Sequence, residues 1–265
     1  MSDNCRLALC EGKASDMLSS PSAIDDTSSF AMEKLFSDAA EKSGYVANTT
    51  LKDFSVGYYG VSKSGFMPYI RAEAQSDGGA QGSGGEGGEN AGDGQSKEQK
   101  LVYTAEETAV FSEGAFVALL DRDETFAYNL LCGTVFAGNF TVETDEGKVS
   151  LNVLKNDGSA QPDKTATSAQ LSVQIRARVY DKDAPSQVGE ITQSEILPEE
   201  VSQKAEERVK KMILSLWNKC AESDCDLFFL ARQLYRRDLP LYREKGGLSP
   251  AELSPSVEVS VSGIH

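Results

Sequence analysis

The chain has 265 residues and a mass of 28.5 kDa, enough for one large or two modest domains around a buried core. Its 26 Lys and Arg stand against 41 Asp and Glu, a net charge of −15, which argues against the cationic face that nucleic-acid binding requires. The single histidine, His265, is the last residue, which all but removes Ser-His-Asp and Cys-His catalysis and histidine-ligated metals.

The first predicted element is a strand at Arg6 to Cys10, with Leu7 and Leu9 on one face. A helix follows from Ser28 or Ser29 to about Ser43, carrying Met32, Leu35, Phe36, Ala39 and Ala40 at helical spacing and stopped by Gly44. Thr49 or Thr50 can cap a second helix with Leu51, Phe54 and Tyr58. Phe66 to Arg71 reads as extended, and Pro68 demotes it to an edge strand or strand end. Between Ala74 and Glu98 there is no large apolar residue, and the run from Gly78 to Gly88 is mostly glycine. Such a segment cannot offset its ordering entropy and reads as a flexible insertion.

After it, Thr108 to Phe111 and Ala115 to Leu120 flank Ser112-Glu113-Gly114, a hairpin signal. Asp121 with Glu124 three residues on forms a capping box for a helix bearing Phe126, Leu130 and Leu131, ended by Gly133. Thr134 to Val142 and Lys148 to Leu154 are further strand candidates. The strongest pattern begins at Ala169, where Leu171, Val173, Ile175, Ala177 and Val179 alternate with polar residues. A long helix opens at Pro198 with Glu199 and Glu200 at its positive end; its apolar stripe is Val201, Ala205, Val209, Met212, Ile213, Leu216 and Cys220. Another helix begins near Asp224 or Asp226 and stops before Pro240. The alternation of Val257, Val259 and Val261 closes the chain as a strand. The class is α+β and multi-domain, with antiparallel sheets and helices packed on one face; the C-terminal part reads strand, long helix, helix, returning strand.

Sites of chemistry are sparse. Cys5, Cys10, Cys132, Cys220 and Cys225 include no CxxC pair or zinc spacing, and Cys220 and Cys225 read as buried thiols rather than a disulfide. The acidic pairs, such as Asp25-Asp26, Glu106-Glu107 and Asp224 with Asp226, read as solvated surface and helix caps. The Gly-rich run lacks the strand, the helix start and the GK[ST] of a phosphate loop. No apolar run is long enough for a transmembrane helix. Charge is uneven: residues 201–265 hold 10 basic and 9 acidic side chains, while the rest is strongly acidic. Arg232, Arg236, Arg237 and Arg243 are the candidate contact residues for an acidic partner or anionic headgroups. The plainer reading has them pairing with Asp238 and Glu244 and covering apolar surface with their stems.

Several stretches, in order, resemble the Ger(x)C family of spore germination proteins, the lipoprotein C subunit of nutrient germinant receptors. They are Gly12-Lys13-Ala14-Ser15-Asp16-Met17-Leu18, Thr50-Leu51-Lys52-Asp53-Phe54, Met67-Pro68-Tyr69-Ile70, and Thr108 to Phe111 through Leu119 to Thr125 with its Glu-Thr helix start. Asp226-Leu227-Phe228-Phe229-Leu230-Ala231-Arg232 and Leu239-Pro240-Leu241-Tyr242 complete the set. Phe229 stands where the family commonly has glycine, Tyr242 where it has Trp, and the Gly-rich run is a long insertion. The family's signal, lipid-bearing cysteine and first part of its first domain have no counterpart, so a trimmed or truncated product of a longer precursor is expected.

The resemblance implies a non-enzymatic subunit at the outer face of the spore inner membrane, lipid-anchored in its precursor, beside two integral-membrane A and B subunits. It carries over no catalytic residue, cofactor or metal. The expected organisation is the remainder of an N-terminal α+β domain over 1–73, the Gly-rich insertion over 74–98, a middle region over 99–160 and a C-terminal α+β domain over 161–265. The alternative is a soluble-domain sensor that captures the nutrient germinant itself. An enzyme acting on spore-envelope polymers through a carboxylate pair is a third reading.

Overall fold

The computed structural model describes residues 5–19, 28–74, 101–145, 147–182 and 197–263; the Gly-rich run lies outside them. The fold is α+β, as expected. One four-stranded sheet has the order β2 (Leu9–Cys10), β4 (Ser64–Ala74), β5 (Leu101–Ser112), β6 (Ala115–Leu120). The other has the order β10 (Ser254–Ser262), β9 (Ser168–Lys182), β8 (Gly147–Pro162), β7 (Asn139–Thr144). A two-stranded pair joins β1 (Arg6–Leu7) to β3 (Thr49–Thr50).

Several expectations need correction. The strand at Arg6 to Cys10 is two short ones, because β1 pairs with β3 while β2 pairs with β4 in another sheet. The helix from Ser28 to Ser43 breaks into α2 (Ser28–Leu35) and α3 (Asp38–Ser43), after α1 (Ala14–Ser19). At the break the Ser37 hydroxyl accepts the Ala40 amide and starts a new helix. Strand β4 is interior, but β2 pairs only Tyr69 and Ile70, so Pro68 sits beside open edge where its missing N–H costs nothing. Residues 134–138 are loop, held by Phe136 and Ala137 amides donating to the Lys42 carbonyl, and the strand begins at Asn139. Strand β8 runs on through residue 160 to Pro162. The last strand is parallel to β9, not antiparallel, because the intervening helix α6 (Glu199–Glu222) returns the chain to the end where β9 began.

The core follows the alternation seen in sequence. Leu171, Val173, Ile175 and Ala177 of β9 are fully buried, and the α6 stripe, with Trp217 added, is buried with them in one cluster. Helix α5 (Arg122–Leu131) belongs to the same cluster, and every residue from Glu124 to Leu131 is buried. Its C-terminus is tied down by Asn156 of β8, whose Nδ2 donates to the Leu130 carbonyl at 2.6 Å while its Oδ1 accepts the Val135 amide at 3.1 Å. Gly158 lets β8 pass this close, since a Cβ there would lie 1.9 Å from the Leu130 carbonyl oxygen. A smaller cluster of Met17, Val46, Ile70, Tyr103 and Ala105 lies with Met32, Leu35, Phe36 and Ala40.

The capping box of α5 forms as read, with the Glu124 amide donating to Asp121 at 2.9 Å and the Asp121 amide to Glu124 at 3.0 Å. The same Glu124 carboxylate also receives the Ser215 hydroxyl at 2.8 Å and the Lys219 ammonium, both from α6. Lys219 donates as well to the Leu119 carbonyl of β6 at 3.0 Å. Beside it, Thr125 shares a 3.0 Å hydroxyl contact with Thr108 of β5, both side chains being buried. The Glu-Thr pair therefore joins the first sheet, α5 and α6.

Lys219→Met leaves the buried Glu124 carboxylate without its counter-charge, and a loss of about 3 kcal/mol is expected. Urea unfolding should show a lower midpoint at unchanged slope. Adding Glu124→Gln should recover part of the loss, since the orphaned charge is then gone.

Candidate functional site

Two helices meet at the surface where the arginines cluster. Helix α4 (Leu51–Tyr58) is capped by Thr50, whose hydroxyl accepts the Asp53 amide at 3.1 Å. Its inner face carries Gly57, where a Cβ would come within 2.2 Å of the Ser64 carbonyl oxygen and 3.0 Å of the Phe229 ring. Phe54 packs edge-on to Phe111 at 5.5 Å between ring centroids and stacks with Tyr58 at 6.3 Å. The outer face presents Lys52, Val56 and Tyr59, with Tyr59 83% exposed.

The other helix is α7 (Leu230–Arg237), which begins later than expected because the preceding residues form a clamp. Asp224 adopts a left-handed backbone with φ of 45°; its carbonyl accepts the Ser112 hydroxyl at 3.0 Å, and its carboxylate accepts that of Ser249. The Asp226 amide donates to the Ser64 hydroxyl at 2.9 Å. The buried Asp226 carboxylate accepts the Leu230 and Ala231 amides at 2.7 and 2.8 Å, so it caps the helix from a distance rather than opening it. Burial raises the Asp226 carboxyl above its ordinary range, and the two α7 amides act against that rise. Phe229, where glycine is common in the family the sequence resembles, has φ of 54°, the left-handed region that glycine fills without strain.

Helix α7 buries Leu230, Ala231 and Leu234 and turns its arginines outward. The four candidate arginines separate here. Arg232 joins Leu51, Lys52, Ser55, Val56 and Tyr59 in lining a shallow depression of about 660 Å3. Arg236 lies one turn further along α7, and Arg243 lies on α8 (Leu239–Glu244), a short helix the sequence reading missed because Pro240 sits in its first turn. Among the described residues Arg232, Arg236 and Arg243 form no ion pair, so the pairing with Asp238 and Glu244 that the plainer reading foresaw is absent; the Asp238 carboxylate instead accepts the Leu241 amide at 3.0 Å. Arg237 is a structural residue: its guanidinium donates to the Pro162 carbonyl at 2.8 Å and to that of Asp163. Lys52, Val56 and Tyr59 were not among the residues singled out from sequence; their i, i+4, i+7 spacing is the signal that could have marked them.

A second cavity, of about 740 Å3, lies beside the clamp and is lined by Ser62, Lys63, Glu113, Asp224, Tyr242 and Lys245 among others. Lys63 and Glu113 pair at 2.8 Å across its rim, and both have left-handed backbones. Cys220 and Cys225 are buried free thiols, and burial pushes Cys225 up to about 12. No helix among the described residues is long and apolar enough to cross a membrane.

The turn that Arg237 holds is itself set by Asp163. Its carboxylate accepts the Thr165 hydroxyl at 2.6 Å and the Thr167 and Ser168 amides at 2.8 and 3.0 Å. Those bonds, that of Thr165 foremost, hold its carboxyl well below the usual carboxylate range. A depressed carboxylate gives stability that is present above the unfolded-state value, near ~3.9, and is lost as pH falls below it. Asp163→Asn should therefore be less stable than the parent at neutral pH, with the gap narrowing below about pH 4. Urea titrations across that range measure it. Asp226→Ala, which frees two α7 amides, should cost about 2 kcal/mol.

Comparison with known proteins accords with this architecture. A family model described as spore germination protein N-terminal domain matches residues 1–72, and one described as spore germination B3/GerAC like, C-terminal, matches residues 106–263. No curated protein matches the chain. Among solved structures, one described as the crystal structure of the GerBC protein superposes with a TM-score of 0.59 at 13% identity, covering 95% of this chain and 66% of that one. The C-terminal match alone spans more than half of the chain, and with the N-terminal match beside it the chain belongs to the GerAC-like, or Ger(x)C, family of spore germination proteins.

Proposed function

We propose that the chain is a non-enzymatic subunit of a spore nutrient germinant receptor, supporting receptor assembly and germination signalling at the outer face of the spore inner membrane. Its partners in this reading are the integral-membrane A and B subunits, and its precursor is lipid-anchored. Family membership supplies the process. The observation that supports a place beside the membrane is the α4–α7 face, where Lys52, Arg232 and Arg236 have no ion pair among the described residues and lie with exposed Tyr59 on a chain of net charge −15. Affinity isolation of the tagged, full-length precursor from sporulating-cell membranes tests it. Two multi-spanning membrane proteins should be recovered with it; a soluble protein alone would contradict the reading.

The second cavity favours one other reading, a sensor that captures the nutrient itself. It is lined by residues from both matched regions, Ser62 and Lys63 on one side and Asp224, Tyr242 and Lys245 on the other. A nutrient that bound there would raise the melting temperature at saturating concentration. Assembly without capture expects no shift across amino acids and sugars.

A further inference from the structure

We propose that the α4–α7 face docks on anionic lipid headgroups, so that the folded domain itself, and not only a lipid anchor, holds an orientation on the bilayer. This rests on the reading that the chain works at a membrane. Charge is the first argument. With 41 acidic and 26 basic side chains, most of the surface is repelled by an anionic bilayer, and an unpaired basic patch is the side that approaches. Arg232 and Arg236 share one face of α7 at a spacing of one turn, and Lys52 lies across the depression from Arg232. Among the described residues none of the three has an ion pair. The neighbouring Asp53 has its carboxylate engaged by the Thr50 hydroxyl at 2.6 Å.

The apolar groups form the second argument. Tyr59 is 83% exposed and Val56 40% exposed, and both line the depression with Lys52 and Arg232, so these cations sit beside large apolar side chains. Tyrosine with its ring in the acyl boundary and its hydroxyl in water is the residue of membrane interfaces. Tyr58 and Tyr59 meet edge to face at 4.8 Å and are fixed through Phe54 to the first sheet. The clamp at Asp224 and Asp226 holds α7 against the same sheet, so the two helices present their cations together. The depression between them is shallow and open, a shape for a flat array of headgroups rather than for an inserted helix or strand.

Co-sedimentation of the chain with vesicles of phosphatidylcholine, alone or mixed with phosphatidylglycerol, tests this. Binding is expected to the mixed vesicles only and should weaken with added salt. Arg232→Glu with Arg236→Glu should weaken it about tenfold or more, and Tyr59→Ser should weaken it at every salt concentration. Lys210→Glu with Lys211→Glu, on the exposed side of α6, should leave it unchanged. Unaltered urea midpoints confirm that the variants fold. Equal binding to both vesicles, no binding, or the same loss from the α6 variant would overturn the proposal. So would loss of co-isolated membrane proteins by the arginine variant with vesicle binding intact, which makes the face a protein interface. A precursor that recovers no membrane protein at all contradicts the receptor reading instead, whatever the vesicles show.

Discussion

A single buried carboxylate sets much of this architecture. Glu124 closes the first turn of α5 and, in the same position, accepts hydrogen bonds from Ser215 and Lys219 of α6. A carboxylate so enclosed is costly unless its acceptor positions are filled, and that requirement fixes α5 and α6 relative to each other. Lys219 extends the constraint to β6 through the Leu119 carbonyl, and Thr125 extends it to β5. Hydrophobic packing of α5 and α6 with β9 supplies bulk burial, but it is non-directional. The Glu-Thr start supplies the register.

From that node the order passes to the surface through a second polar device. The chain leaving α6 turns at left-handed Asp224, is tied to β4 and β5 by Ser64 and Ser112, and delivers the Asp226 carboxylate under the first turn of α7. Helix α7 is thereby held to the sheet that also supports α4. The opposite end of α7 is secured by Arg237, which reaches the carbonyls of the β8–β9 turn. Both ends of the arginine-bearing helix are thus fixed by side chain–backbone bonds, and Arg232 and Arg236 remain for the surface.

Local signals in the sequence carried through where the physics is local. The Asp121–Glu124 capping box, the Thr50 cap, the Ser112-Glu113-Gly114 hairpin and the alternation from Leu171 to Val179 each depend on neighbours a few residues away. What was not legible depends on distant partners. Asn156 and Gly158 look like a loop in sequence, yet they lie in β8 because they satisfy and accommodate the end of α5. Asp226 has the chemistry of a cap, but its hold on Leu230 and Ala231 places the helix start four residues later. The arginines likewise read as a set, and only the turn at Pro162 and Asp163 separates Arg237 from the others. The α4 half of the face needed the fold, since nothing local brings Tyr59 beside Arg232.

In the proposed reading, a rigid body built on Glu124 and Asp226 presents the α4–α7 face to the receptor's membrane surroundings. Germination of spores carrying Arg232→Glu and Arg236→Glu in the full-length precursor tests it most directly, with the protein's level in the spore measured alongside. The expected result is a normal level of protein and a lost or strongly slowed nutrient response. A normal level with an undiminished response would contradict it.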